Sequence, residues 1–160
     1  MIPVIETDRL LLREWREEDL DDYAAMVADA EVTRFVGGVQ TRGEAWRSMA
    51  AMLGHWVLRG YGTWAVERKS DARLIGRIGL LNPEGWPGVE VIWTLCRPYW
   101  GKGYATEAAR ASLRFGFEHT SVPKLISLID PQNQASQAVA DRIGEFKGGK
   151  TSLTVFGEAF

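Results

Sequence analysis

Trp100-Gly101-Lys102-Gly103-Tyr104-Ala105-Thr106-Glu107-Ala108 joins a strand-like run to a helix-like one through two glycines. Glycine permits a sharp turn and lets a ligand reach the backbone without meeting a Cβ. The first turn of the helix that follows leaves N–H groups unpaired at the positive end of its dipole, which suits a phosphate. Lys102 adds a cation, and Ala105, Ala108, Ala109 and Ser112 line one helical face. The segment reads as a diphosphate cradle; the alternative is a tight turn whose small-residue face serves only close packing. Two nucleotide patterns fit poorly. A P-loop requires Ser or Thr after its Gly-Lys, whereas Gly103 follows Lys102. A dinucleotide fingerprint needs a third glycine where Thr106 stands, and an acid at a strand end about 20 residues on is missing.

Before the loop, the runs Thr63 to Glu67, Leu74 to Leu81 and Val89 to Leu95 are separated by turn-forming stretches at Ser70-Asp71 and 82–88. Short links favour antiparallel neighbours, so these predict a meander. In the third run Val89, Val91, Trp93 and Leu95 share one face and Glu90, Ile92 and Thr94 the other. After the loop, the pattern predicts a helix from Ala105 to His119, a strand from Lys124 to Ile129 and a helix from Ala135 to Ile143 stopped by Gly144. A right-handed crossover makes the strands at 89–95 and 124–129 parallel. Thr151 to Phe156 reads as one more strand.

Nearer the N-terminus, Leu10-Leu11-Leu12 reads as a short buried strand. Glu17 to Ala28 reads as a helix with Leu20, Tyr23, Ala24 and Val27 in one stripe. Thr41 and Glu44 form a capping box for a second helix. There Trp46, Met49, Ala50, Leu53 and Val57 recur at helical spacing, and Gly60 supplies the stop.

The chain has 160 residues, of which 46% are hydrophobic, 11% aromatic and 25% charged, enough for one well-packed domain spanning 1–160. Nineteen basic against 21 acidic residues give a net charge of −2, which argues against a surface built to coat nucleic acid. A single cysteine, Cys96, with only His55 and His119 offers neither an internal disulfide nor a zinc-type cluster. No secretory leader and no apolar span are visible, so the expected setting is cytoplasmic, with no membrane partner.

Tyr99-Trp100-Gly101-Lys102-Gly103-Tyr104-Ala105-Thr106-Glu107-Ala108 resembles the acetyl-CoA pyrophosphate loop of the GNAT family of N-acetyltransferases, in the branch that includes the ribosomal-protein N-terminal acetyltransferases. The opening Thr7-Asp8-Arg9-Leu10-Leu11-Leu12-Arg13, the acid-started first helix and Asp130-Pro131-Gln132-Asn133-Gln134-Ala135-Ser136 carry the same resemblance along nearly the whole chain. It implies a GNAT-like α/β (α+β) fold: a mixed, twisted sheet of about six to seven strands flanked by about four helices, split into a V between two parallel strands. Here those strands would be 89–95 and 124–129. The pantetheine arm would pair with backbone near Trp93 and Leu95, and the diphosphate would lie on Gly101, Lys102, Gly103, Tyr104, Ala105 and Thr106. Asn133 would help hold the carrier. The implied co-substrate is acetyl-CoA, with no metal, and the acceptor is a small-molecule or protein amine rather than a nucleic acid. Homodimers are common among such relatives.

The implied chemistry is direct acetyl transfer, without an acyl-enzyme. Glu90 is the expected base, acting directly or through a water, a solvated or salt-bridged strand acid being the alternative, and Glu107 is a weaker candidate that serves the helix dipole equally well. A strand N–H near Leu95 would stabilise the oxyanion. Many relatives protonate the leaving thiolate with a tyrosine on the last helix; none lies in 133–143, and Ser136 is the substitute, the alternatives being that it only bonds backbone and that the CoA thiolate leaves unassisted. Trp100 replaces the Gln or Arg common in relatives. Gly144-Glu145-Phe146 replaces the common Gly-Phe, and the chain stops at Phe160, short of the final strand relatives usually have. Cys96 reads as a small buried residue and Trp46 as core, while Trp15 and Trp86 read as lip residues. Arg110 and Arg114 share a face that either meets the nucleotide end of CoA or is simply solvated. The competing readings are a CoA-binding module without catalysis and a nucleotide-binding protein.

Overall fold

Leu10, Leu12, Trp64, Val66 and Ile78 come from three neighbouring strands and are all fully buried in one apolar cluster. The computed structural model describes residues 1–149, 154–155 and 158–159. In chain order they form β1 (Ile5–Glu6), β2 (Leu10–Arg13), α1 (Leu20–Ala28), α2 (Ala30–Thr33), α3 (Arg42–Arg59), β3 (Thr63–Arg68), β4 (Arg73–Leu81), β5 (Val89–Leu95), α4 (Tyr104–His119), β6 (Leu125–Ile126), α5 (Gln134–Ile143), β7 (Thr154–Val155) and β8 (Glu158–Ala159). Strands β1 to β6 make one sheet in sequence order. Its first five strands are antiparallel, and β6 joins β5 in parallel.

Alternation along β3 sorts the two faces. Trp64 and Val66 point into the cluster that holds Tyr104 and Ala108 of α4, whereas Ala65 points into the cluster of α1, α2 and α3. On β5, Val89, Val91 and Leu95 lie on the α4 side, which leaves Glu90, Ile92 and Thr94 on the face of α1 and α3. Trp56, Trp64 and Phe115 stack edge to face, with centroids 4.9 and 5.1 Å apart, and tie α3, β3 and α4 together.

The caps form as expected. The Thr41 hydroxyl accepts from Glu44 N–H, the Glu44 carboxylate accepts from Thr41 N–H, and Gly60 closes α3 in the left-handed conformation. Three readings are corrected. The buried face of α3 is Ala45, Met49, Met52 and Trp56; Trp46 is about half exposed and Val57 lies in solvent. Trp15, expected at a lip, is 3% exposed, packs on Tyr23 and donates its indole N–H to Thr63 O. The strand predicted over 124–129 is only Leu125–Ile126. Of the strand expected over Thr151–Phe156, Thr154 and Val155 pair antiparallel with Ala159 and Glu158, apart from the main sheet, and the rest lies outside the described residues.

Candidate active site

The β5–β6 ladder consists of two residue pairs, Val89 with Leu125 and Glu90 with Ile126. Beyond it, side chains replace backbone bonds. Ser127 Oγ lies 2.8 Å from Val91 O, and Leu128 N–H donates to Glu90 Oε1 at 3.2 Å. β5 continues to Leu95 without β6, so the parallel strands part there, as the resemblance implied. Val91 O and Leu95 O both turn to this open edge, since Ser127 and the Trp100 indole (2.9 Å) reach them. The two-residue period of a strand puts the Trp93 N–H and C=O on the same edge.

At the far end of β5 the chain turns through Arg97–Tyr99 into Gly101 and Gly103, at φ +72° and +82°, a region that costs any residue with a Cβ. Gly103 is the N-cap of α4, and no side chain caps it. The N–H groups of the first turn, from Tyr104 to Thr106, thus have no intrahelical acceptor. Lys102 is exposed, and its carbonyl accepts from Arg9 Nη1 at 2.9 Å. The donor set suits a diphosphate: backbone amides, a left-handed glycine pair and open space where a Gly101 Cβ would stand.

Arg9 and Glu107 explain the opening Thr7-Asp8-Arg9. Glu107 accepts from Thr7 Oγ1 (2.7 Å), Arg9 N (2.8 Å) and Arg9 Nε (2.7 Å), and the Arg9 guanidinium lies over the Tyr104 ring. Burial disfavours the Glu107 charge, but these three donors outweigh it and hold the carboxyl below its usual range. Glu107 clamps the head of α4 to the segment from Thr7 to Arg9.

Glu90 is 7% exposed. Oε2 accepts from the Trp86 indole at 2.8 Å and Oε1 from Leu128 N–H. Burial raises its pKa, and these donors together with the charge of Arg77 only partly offset that rise. A buried carboxylate with lone pairs left over and its proton affinity raised is suited to accept a proton. Trp86, four residues before Glu90 at a loop of Pro and Gly, orients it; the sequence marks Trp86 as a lip residue but holds no sign of this bond. Nor does it reveal Leu128 or Arg77, which become neighbours only through the sheet.

On the other arm of the split, Asn133 caps α5, its side-chain oxygen accepting from Ser136 N–H at 3.1 Å. The Trp93 indole donates to Ser136 Oγ at 3.2 Å. Trp93 packs with Ala109, Val139 and Ile143, so it bridges β5, α4 and α5. The structure therefore brings Glu90, Trp93 and Leu95 onto one strand, the loop 101–106 to its end, and Asn133 and Ser136 across from it. Cys96 stands apart: burial raises its thiol to about 11, which suits a passive residue. Arg110 and Arg114 are exposed, Arg110 reaching the Arg142 carbonyl. Two surface hollows, of about 400 and 220 Å³, are lined by other residues, among them Arg13, Asp22 and Cys96. No helix among the described residues is long and apolar enough to cross a membrane.

A family model described as "Acetyltransferase (GNAT) domain" matches residues 9–145. The YkkB protein of Bacillus subtilis is 32% identical over 146 residues, which cover 86% of this chain and 82% of YkkB. The crystal structure of an acetyltransferase from Agrobacterium tumefaciens superposes with a TM-score of 0.84 at 34% identity, over 90% of this chain and 84% of that one. RimL, a ribosomal L7/L12 alpha-N-protein acetyltransferase solved with coenzyme A, shares the fold with a TM-score of 0.75 at 17% identity, over 89% and 83% of the two chains.

Proposed function

The chain belongs to the GNAT family of acetyltransferases, and from that membership we propose that it moves an acetyl group directly from acetyl-CoA to a primary amine, with Glu90 as the base. The observation that carries this reading is the buried Glu90 carboxylate at the root of the β5–β6 split. An alkyl ammonium has a reference pKa of about 10.4, so attack at neutral pH needs a group to take a proton. Glu90 is held by Trp86 and Leu128 in one orientation and has its proton affinity raised by burial.

The α4 head supplies the amides of Tyr104, Ala105 and Thr106 for the diphosphate, with Gly101 and Gly103 giving close backbone approach and Lys102 adding charge. Acetyl-CoA supplies the activated thioester. The β5 edge at Trp93 and Leu95 offers backbone groups to the pantetheine arm. Trp100 occupies Leu95 O, which leaves the Leu95 N–H for the developing oxyanion. Ser136 accepts from Trp93, so its own proton is free to go to the leaving sulfur as the N–C bond forms and the C–S bond breaks. Asn133 fixes Ser136 by capping its helix.

Among primary amines, the proposal favours a protein N-terminal amine, the acceptor class in the name of RimL. The test measures free-thiol release with peptide N-termini, lysine peptides, polyamines and aminoglycosides. N-terminal peptides are expected to turn over best. Glu90→Gln should lower the rate by about 10²–10⁴-fold with acetyl-CoA affinity little changed. Binding of acetyl-CoA without release for any amine would overturn the catalytic reading, and an undiminished rate in Glu90→Gln would remove Glu90 from the role.

A further inference from the structure

Glu145 departs from the family pattern by standing between Gly144 and Phe146, and it lies where the two parallel strands part. Ser127 Oγ sits 2.8 Å from Val91 O and 2.9 Å from Glu145 Oε1. A serine hydroxyl carries one hydrogen, and a backbone carbonyl only accepts. If Ser127 donates to Val91, the second contact requires a proton on Glu145. The other carboxyl oxygen, Oε2, is buried without a partner. A neutral acid tolerates that far better than a carboxylate does.

We propose that Glu145 is a positioning residue that works as a neutral carboxylic acid, donating to Ser127 Oγ while Ser127 donates to Val91 O, so that the three groups clasp the root of the split. The clasp joins β5, β6 and the chain leaving α5 beside the Leu128 amide that holds Glu90. Its ionisation turns the Ser127 proton toward Glu145 and releases the Val91 carbonyl. Burial favours the protonated form, with the Ser127 hydrogen bond acting the other way. Once Glu145 ionises, Glu90 on β5 feels its charge, with Arg77 on β4 acting the other way on Glu90, and the Arg110 guanidinium of α4 is engaged by the Arg142 carbonyl. This role rests on the acetyl-transfer reading above only for its effect on rate.

The test compares the wild type with Glu145→Gln, Glu145→Ala and Ser127→Ala, first by thermal unfolding against pH without substrate. A carboxyl protonated in the fold and ionised in the unfolded chain adds stability at low pH that is lost as pH rises through its folded pKa. The wild type should therefore fall behind Glu145→Gln as pH rises above the ordinary carboxyl range, because the glutamine amide donates to Ser127 at every pH. In the acetyl-transfer assay Glu145→Gln should stay close to wild type at neutral pH. Glu145→Ala and Ser127→Ala should lower kcat/KM for acetyl-CoA by about tenfold, the scale of one net hydrogen bond. The rate ratio of wild type to Glu145→Gln, which cancels titration of the amine, should fall with rising pH. A stability difference between wild type and Glu145→Gln that does not change with pH, or a Glu145→Gln as damaged as Glu145→Ala, would overturn the clasp. A clear stability signature with no turnover for any amine would leave the clasp standing and sink the proposed reaction instead.

Discussion

Arg13 is 5% exposed, yet every nitrogen of its guanidinium has a partner. Nη1 and Nη2 fork onto Asp19 at 2.9 and 2.8 Å, Nε meets Glu67 at 2.7 Å, and Nη1 also reaches Glu14 O. Hydrogen bonding to Asp19 is the largest cause raising the Arg13 pKa further above its already high value. Removing one member of a buried ion pair strands the other without solvent. Arg13→Met should therefore cost about 3–5 kcal/mol, read as a lowered urea midpoint. The sequence displays Arg9 and Arg13 four apart in one motif but conceals what they bind, because Glu107 and Glu67 are 98 and 54 residues away. Tryptophans misled for a related reason. Trp46 and Trp15 look alike by hydrophobicity, and only the packing of α3 and α1 on the sheet sends Trp15 inward and leaves Trp46 about half exposed.

Helices α3 and α4 were readable because their ends are written in local chemistry: a Thr–Glu box and a left-handed glycine in one, a glycine pair in the other. The buried face of α3 was not, since apolar residues occur nearly all round it and Val57 and Leu58 are solvent-facing. β6 shortened because a strand lasts only as long as its partner, and β5 diverges after Glu90. Glu90 itself could be found from the alternation of β5, whereas Ser127 and Glu145 could not, because only the convergence of β6 with the chain after α5 joins them. At the head of α4, Gly103 holds φ +82° as the N-cap. Gly103→Ala should cost about 1–2 kcal/mol for the left-handed backbone. It should also weaken acetyl-CoA binding, seen as a smaller thermal shift at saturating ligand.

Across the described residues, the carboxyls with displaced pKa values fall into two groups. Glu6, Asp29, Glu44, Asp71 and Glu107 lie below their ordinary pKa values; in the first four the leading cause is a hydrogen bond, from Lys69, Arg97, Thr41 and Arg68 respectively. Each adds stability above its unfolded value, lost as pH falls through the folded one. Glu90 and Glu145 lie above their ordinary values, chiefly through burial. Their contribution is present below the unfolded value and drains away as pH rises through the folded one. Melting temperature against pH should peak near the ordinary carboxyl range, at about pH 4–5, and fall on both sides. Glu90→Gln combined with Glu145→Gln should flatten the upper slope and leave the acid slope in place.

Two residue pairs fasten β6, against six for each of the two ladders on either side of β4. The parallel seam is thus pinned only at its root, and past Glu90 the rim of β5 stands unzipped as far as Leu95. A sheet sewn to its last row would have no vacant hem for an extended ligand; here two stitches hold the final strand, and the six-pair weave with β4 backs the strand that carries Glu90.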